Sequence, residues 1–342
     1  AGGNEKRTAT ALAKRLIRSL SMPYDISGKV LNVGVSIGIA LAPEHGRDAE
    51  TLIHNADLAL YRAKTHGRGQ CFVFNHRVEE EIGERERAET DLRRAVASGE
   101  LLLHYQPIVD LKSGRVSTCE ALMRWRHPVR GMVSPAEFIP LAEETGLIGP
   151  MGEWALRQAC RDARRWPEHV KVSVNVAATQ FSSTDMVFAV KTALQQSGLE
   201  AHRLQIEVTE TIMLQDTQPT LKALETLRSM GVSIALDDFG TGYASLSYLR
   251  SFPFDKIKID QCFVRDIDTR GDCFAIVKAI VDLADSLGMS SVAEGIETLA
   301  ILDRIVDARC DEAQGYYFSR PVAVEELDAA LKAAEDKPAL AA

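Results

Sequence analysis

From residue 100 onward, short β-branched or apolar runs alternate with longer helical patterns, and no other feature restricts the fold as much. The runs are Leu101 to Val109, Val116 to Trp125, Val170 to Val176, Leu204 to Val208, Val232 to Leu236, Lys256 to Ile259, Ser291 to Ala293 and Gly315 to Phe318. Amphipathic stretches such as Gly152 to Trp166, Asp185 to Ser197 and Asp272 to Leu287 separate them. Eight strands with helical crossovers predict an α/β architecture, a TIM-like (β/α)8 barrel. A doubly wound open sheet fits the same alternation and is the competing architecture.

In a barrel the loops after the strands converge on one face, and chemistry collects there. Glu120 lies in the second run and Asn175 ends the third. Glu207 and Glu210 end the fourth, and Asp237 and Asp238 stand side by side after the fifth. Lys258 sits in the sixth, Glu294 follows the seventh and Gln314 precedes the eighth. Adjacent carboxylates repel and lose hydration, a cost that a bound divalent cation offsets. Taken alone, Asp237-Asp238 reads more readily as an acidic cap on the next helix. Repetition of the placement across four strands argues for metal. Oxygen ligands without His or Cys select Mg²⁺ or Mn²⁺. Two such ions about 3.5–4 Å apart suit in-line displacement at phosphorus. The residues alone therefore indicate a metal-dependent phosphate-ester enzyme.

Tyr105-Gln-Pro-Ile-Val-Asp110, Glu120-Ala-Leu-Met-Arg-Trp125, Val172-Ser-Val-Asn175 and Glu207-Val-Thr-Glu210 resemble the EAL family, the bacterial cyclic di-GMP phosphodiesterases. So do Asp237-Asp-Phe-Gly-Thr-Gly-Tyr243, Lys258-Ile-Asp260, Ala293-Glu-Gly-Ile-Glu-Thr298 and Gln314-Gly-Tyr316. The resemblance spans roughly residues 98 to 335 and implies hydrolysis of cyclic di-GMP to linear 5′-pGpG. It implies two Mg²⁺ or Mn²⁺ ions, with Ca²⁺ inhibitory. Glu120, Asn175, Glu207 and Asp237 would hold one ion. Asp237 would bridge to a second, with Asp238 and Glu294 as further ligands. Lys258 would position or deprotonate the attacking water, and would lose its own proton more easily beside two cations. Glu210 would brace the Asp237-Asp238 loop. Gln106, Leu122, Arg124, Asp260, Glu297 and Gln314 would contact substrate, Arg124 by forking onto a phosphate. A homodimer through the EAL domain is implied as well. Ala244 and Ala177 stand where the family usually has serine; neither is a ligand in this reading. A family member without catalysis, acting as a cyclic di-GMP receptor, is the alternative. Retention of every ligand position and of Lys258 is the feature that favours the enzyme.

Residues 1 to 75 carry a second resemblance. Lys29 to Ala40 reads as a strand, Ala49 to Thr65 as a helix and Gln70 to Phe74 as another strand. Val35-Ser-Ile-Gly-Ile-Ala40, Ala56-Asp-Leu-Ala-Leu-Tyr61 and Ala63-Lys-Thr-His-Gly-Arg68 resemble the C-terminal half of a GGDEF, or diguanylate cyclase, domain. Gly2-Gly-Asn-Glu5 echoes the signature with Asn in place of its aspartate. The expectation is a partial, non-catalytic module from a longer natural protein. Residues 76 to 97 read as a connecting helix, with pairs such as Glu81–Arg85 and Glu89–Arg93. That helix is either a solvated spacer or a signalling lever. The barrel would occupy residues 98 to 342.

The net charge, 40 − 48 = −8, argues against binding a nucleic-acid backbone. No run of 18 apolar residues and no signal-peptide pattern is present, so a soluble, cytoplasmic fragment without membrane contact is expected, though a missing N-terminal segment would be able to tether the whole protein. The 6 cysteines lack metal-type spacing and read as reduced, mostly core thiols. Trp125, Trp154 and Trp166 suit packing. Tyr316, Tyr317 and Phe318 are the candidates for stacking on guanine.

Overall fold

A computed structural model describes all residues except 1, 27, 66, 184, 215–216, 241, 243–245 and 338–342; for 2–4, 29, 76–82, 182–183, 214, 217 and 246–248 it describes the backbone alone. The chain divides into two units, residues 1–91 and 92–342. Tyr243 and Ala244, and the side chain of Glu81, lie outside the described residues.

In the first unit, helix α1 (Gly2–Leu20) precedes a hairpin of β1 (Tyr24–Ile26) and β2 (Lys29–Leu31). Gly2-Gly-Asn-Glu5 thus opens a helix. Next come β3 (Ile37–Ile39), α2 (Ala49–Thr65) and β4 (Cys71–Val73), with β3 and β4 parallel. The single strand expected over Lys29 to Ala40 is therefore two short strands joined by irregular chain. Helix α2 buries Ala59 and Ala63. It approaches β3 so closely that a Cβ at Gly38 would stand 2.0 Å from the Ala56 carbonyl oxygen. Only glycine fits there. Helix α3 (His76–Ser98) follows, and the division between units falls inside it.

The second unit is the barrel. Its chain order is β5 (Leu101–Asp110), β6 (Val116–His127), β7 (Gly131–Val133), α4 (Pro135–Thr145), α5 (Ile148–Ala163), β8 (Lys171–Asn175), α6 (Ala178–Ser183), α7 (Met186–Ser197), β9 (Leu204–Thr209) and α8 (Thr217–Ser229). It continues with β10 (Ser233–Phe239), α9 (Leu246–Ser251), β11 (Lys256–Ile259), α10 (Gln261–Val264), α11 (Gly271–Ser286), β12 (Ser290–Ala293), α12 (Leu299–Asp307), β13 (Glu312–Gln314), β14 (Val322–Ala323) and α13 (Leu327–Glu335). The sheet order β5-β13-β12-β11-β10-β9-β8-β6 closes on itself through the β5–β6 pairing. Closure leaves no sheet edge among those eight strands.

Seven of the eight run parallel, and β5 runs antiparallel to both β6 and β13. The TIM-like barrel expected from the sequence is present, with one irregularity at this strand: a short turn rather than a helix joins β5 to β6. The eighth strand is Glu312–Gln314, earlier than the Gly315–Phe318 expected; those later residues form the turn beyond it.

Parallel strands packed on both faces read as continuous apolar runs. Ile206, Val208, Ile234, Leu236, Ile257 and Ile259 are accordingly buried. Outside, α5 buries Met151, Ala155, Leu156, Ala159 and Ala163, the i, i+4 spacing of one helix face. Trp125 packs edge-on to Phe138, and Trp166 edge-on to Tyr105. His127 accepts from the amides of Val129 and Arg130, a structural task.

Candidate active site

Two adjacent strand residues ordinarily point to opposite faces. Strand β10 escapes this rule through a bulge. Leu236 sits opposite Ile257 and Phe239 opposite Ile259, so β10 takes 239 − 236 = 3 steps while β11 takes 259 − 257 = 2. Asp238 absorbs the extra residue in the left-handed region, at φ 54°. Ligand oxygens of Asp237, Asp238 and Glu294 consequently lie within 4.8 Å of one another.

A second group shares Asp237. Oxygens of Glu120 from β6, Glu207 from β9 and Asp237 are also within 4.8 Å of one another. Asn175 donates its amide to Glu120 Oε1 at 2.7 Å, and Gln314 donates to Glu120 Oε2 at 2.7 Å. Gln205, one full strand repeat before Glu207, donates to Glu207 Oε1 at 3.0 Å. Residues i and i+2 share a face, so that partner was readable from spacing and was missed.

Lys258 stands at the centre, 1% exposed. Its Nζ lies 2.7 Å from Glu207 Oε2, 2.7 Å from Glu294 Oε1, 3.1 Å from Asp237 Oδ1 and 3.4 Å from Glu120 Oε2. The Asp237 approach is an ion pair without hydrogen-bond geometry, and Oδ1 has no hydrogen-bond partner. Burial opposes the charge on Lys258, but the surrounding carboxylates outweigh it and hold the ammonium's pKa well above the ordinary lysine value. Burial pushes Glu294 up to about 8 and Glu207 up to about 7, with acidic neighbours adding to the shift. Burial and then Asp237 push Asp238 up to about 6. Glu120 goes the other way: burial raises it, but Lys258, Gln314 and Asn175 together bring it below the usual value.

Glu210 lies under the loop that follows β10. Its Oε1 accepts from the Gly240 amide at 2.6 Å. Among the described residues its Oε2 is buried without a partner, 2.4 Å from where a Cβ at Gly242 would be. Gly240 itself holds φ 101° against Phe263. Gly240 is held to glycine by that positive φ, whereas a Cβ at Gly242 would displace the Glu210 carboxylate tip.

The expected substrate contacts divide. Gln106 and Gln314 are buried and bonded to each other at 3.2 Å, and Gln106 also donates to the Ser319 carbonyl. Leu122 and Arg124 are half-buried one and two β-repeats beyond Glu120; Arg124 donates to the Met123 carbonyl, and burial lowers its pKa. Asp260 caps α10 by accepting from the Cys262 amide, and Glu297 is exposed ahead of α12. Phe318 is core, 3% exposed, which removes it as a stacking surface. Tyr316 is 50% exposed with the Arg320 guanidinium 4.3 Å above its ring.

The eight-stranded barrel with one reversed strand and acids at its strand ends belongs to the EAL domain family, whose model matches residues 89–321. The diguanylate cyclase GGDEF model matches residues 2–70, so a GGDEF segment precedes the barrel. Among relatives, the chain is 42% identical over 328 residues to MucR of Pseudomonas aeruginosa, a bifunctional diguanylate cyclase/cyclic di-GMP phosphodiesterase. That match covers 94% of this chain and 48% of MucR. It is 36% identical over 325 residues to the Escherichia coli cyclic di-GMP phosphodiesterase PdeR, covering 94% of this chain and 49% of PdeR. The chain thus spans about half the length of these relatives. The solved structure of the PaMucR phosphodiesterase in complex with c-di-GMP superposes with a TM-score of 0.68 at 42% identity, over 70% of this chain and 99% of that one. Among the described residues, no helix is long and apolar enough to cross a membrane.

Proposed function

We propose that the barrel hydrolyses one phosphodiester bond of cyclic di-GMP, giving linear 5′-pGpG, with two Mg²⁺ or Mn²⁺ ions as cofactors. The observation that carries this reading is the pair of carboxylate groups sharing Asp237, gathered around Lys258. All their donors are hard oxygens, the set that suits Mg²⁺ or Mn²⁺. Glu120, Asn175, Glu207 and Asp237 would hold one ion; Asp237, Asp238 and Glu294 would hold the other. When bound, such ions neutralise charge on the phosphoryl group and lower the pKa of a water.

The chain's own residues supply the rest. Arg124 meets a phosphate of the dianion, and Tyr316 with Arg320 offers an exposed face to a guanine. Lys258 Nζ is placed to orient the attacking water. The new bond joins water oxygen to phosphorus, the bond to the ribose 3′ oxygen breaks, and that oxygen leaves with a proton as the free hydroxyl. Glu210 keeps the bulged Asp237-Asp238 segment in place. Ca²⁺, with its larger and more flexible shell, is expected to bind but to position the water poorly. The family relationship also supports a homodimer through the barrel, which a monomeric mass in analytical ultracentrifugation would rule out.

Incubating the pure chain with cyclic di-GMP and Mg²⁺ or Mn²⁺, then chromatographing the products, tests the activity. Appearance of pGpG is expected. Tight binding without any product would point to a receptor instead.

A further inference from the structure

Lys258 touches more acids than one ammonium is able to satisfy. It has three N–H donors, yet four carboxylates from four strand ends close on it between 2.7 and 3.4 Å. Glu120, Glu207 and Asp237 are the whole of one candidate metal group, and Asp237 and Glu294 are two of the three acids in the other. The lysine therefore draws on the same oxygens that the cations need. With Asp238 included, the two groups set five carboxyl groups against one ammonium, an excess of acid that divalent cations offset.

An acid cluster buried with no counter-charge at all would be strongly destabilising. Among the described residues, Lys258 is the cation that pairs with Glu120, Glu207, Asp237 and Glu294. Its four-carbon stem is flexible, so the ammonium is able to withdraw while its backbone stays in β11.

We propose that Lys258 is the resident counter-ion of the metal-free site, and that metal binding proceeds by exchange, the divalent cations taking over the carboxylate oxygens that the ammonium holds. The inference rests on the metal reading given above and adds a sign to it. Lysine and metal compete for one set of oxygens, so each weakens the other's hold by the same factor. A lysine that only assists catalysis would leave metal affinity unchanged, and one that helped to build the metal site would strengthen it.

The test uses the full chain stripped with EDTA, titrated calorimetrically with Mn²⁺ and melted with and without it. Lys258→Met is expected to bind Mn²⁺ about tenfold more tightly than wild type. Metal-free, it is expected to melt about 5–10 °C lower, with Mn²⁺ recovering most of the loss. Should Lys258→Met fail to fold, Lys258→Met/Glu294→Gln restores the net charge of the metal-free cluster. Compared with Glu294→Gln alone, the double variant is expected to bind Mn²⁺ more tightly at the Glu120, Glu207 and Asp237 group. Equal or weaker Mn²⁺ binding on loss of the lysine, in either background, overturns the exchange while leaving the metal site intact. Absence of Mn²⁺ binding by wild type overturns both the exchange and the metal reading.

Discussion

Lys256 and Lys258 stand two residues apart on β11 and face the same barrel interior, one near each end of the strand. At the lower end, Lys256 pairs with Glu312 alone, and both side chains are about nine-tenths buried. At the upper end, Lys258 meets four carboxylates. One end matches one ammonium to one carboxylate, the other one ammonium to four. Burial is similar, so burial does not mark the working lysine. Excess charge does: a one-to-one pair completes a structure, whereas an oversupply of carboxylates leaves room for cations.

The contrast is easiest to break at the upper end. Lys258→Ala should lower kcat on the order of a hundredfold or more, with much smaller loss of cyclic di-GMP affinity, and excess EDTA should abolish turnover. Lys256→Met should leave kcat close to wild type. Wild-type turnover in Lys258→Ala would erase the distinction. Asp237→Asn removes the carboxylate common to both acid groups. Mn²⁺ affinity and turnover should fall together, by at least the roughly 10–100-fold that loss of an outer partner costs a metal site. Unchanged Mn²⁺ binding would show that Asp237 is not shared between ions.

Glu210→Ala should cost about tenfold in kcat with Mn²⁺ binding kept, because only the support beneath Gly240 is lost. An unaltered rate argues against the bracing role. At the lower end the expected effects are on stability. Lys256→Met strands Glu312 and should cost about 3 kcal/mol in urea unfolding. Lys256→Met/Glu312→Leu should recover most of that, and a double variant no better than the single would mean the pair is not isolated. The smallest expected effect is nil: supplied with GTP, residues 1–75 should make no cyclic di-GMP, as detection of the product by chromatography would refute.

The strands were legible because parallel strands buried on both faces leave short, largely apolar or β-branched runs, as in Ile234 to Leu236. The acids were legible as a recurrence at strand ends. What stayed hidden has physical causes. Strand direction leaves no mark on hydrophobic period, so the reversal of β5 was invisible. The bulge was hidden too, since a non-glycine residue in the left-handed region, Asp238, carries no sequence signal. Gln106 and Gln314 were read as substrate contacts; that they also form a buried amide chain ending on Glu120 was hidden. That chain joins residues 106 and 314, a separation no local pattern spans. The four-fold crowding of Lys258 likewise depends on barrel closure.

The reversed strand also decides where the polypeptide crosses the barrel's threshold. In an all-parallel barrel the first strand would begin at the base, remote from the chemistry. Here Leu101 pairs with Trp125, at the same rim as the acids. Just ahead of it, Glu100 receives the Trp125 indole N–H at 3.2 Å and pairs with Arg94 at 3.3 Å, while Leu92 and Ala95 are buried. Five residues further along the same strand comes Gln106, the first link of the amide chain to Glu120. The end of α3 is thus moored at the rim that carries the candidate site, half a strand from the amide chain that ends on Glu120.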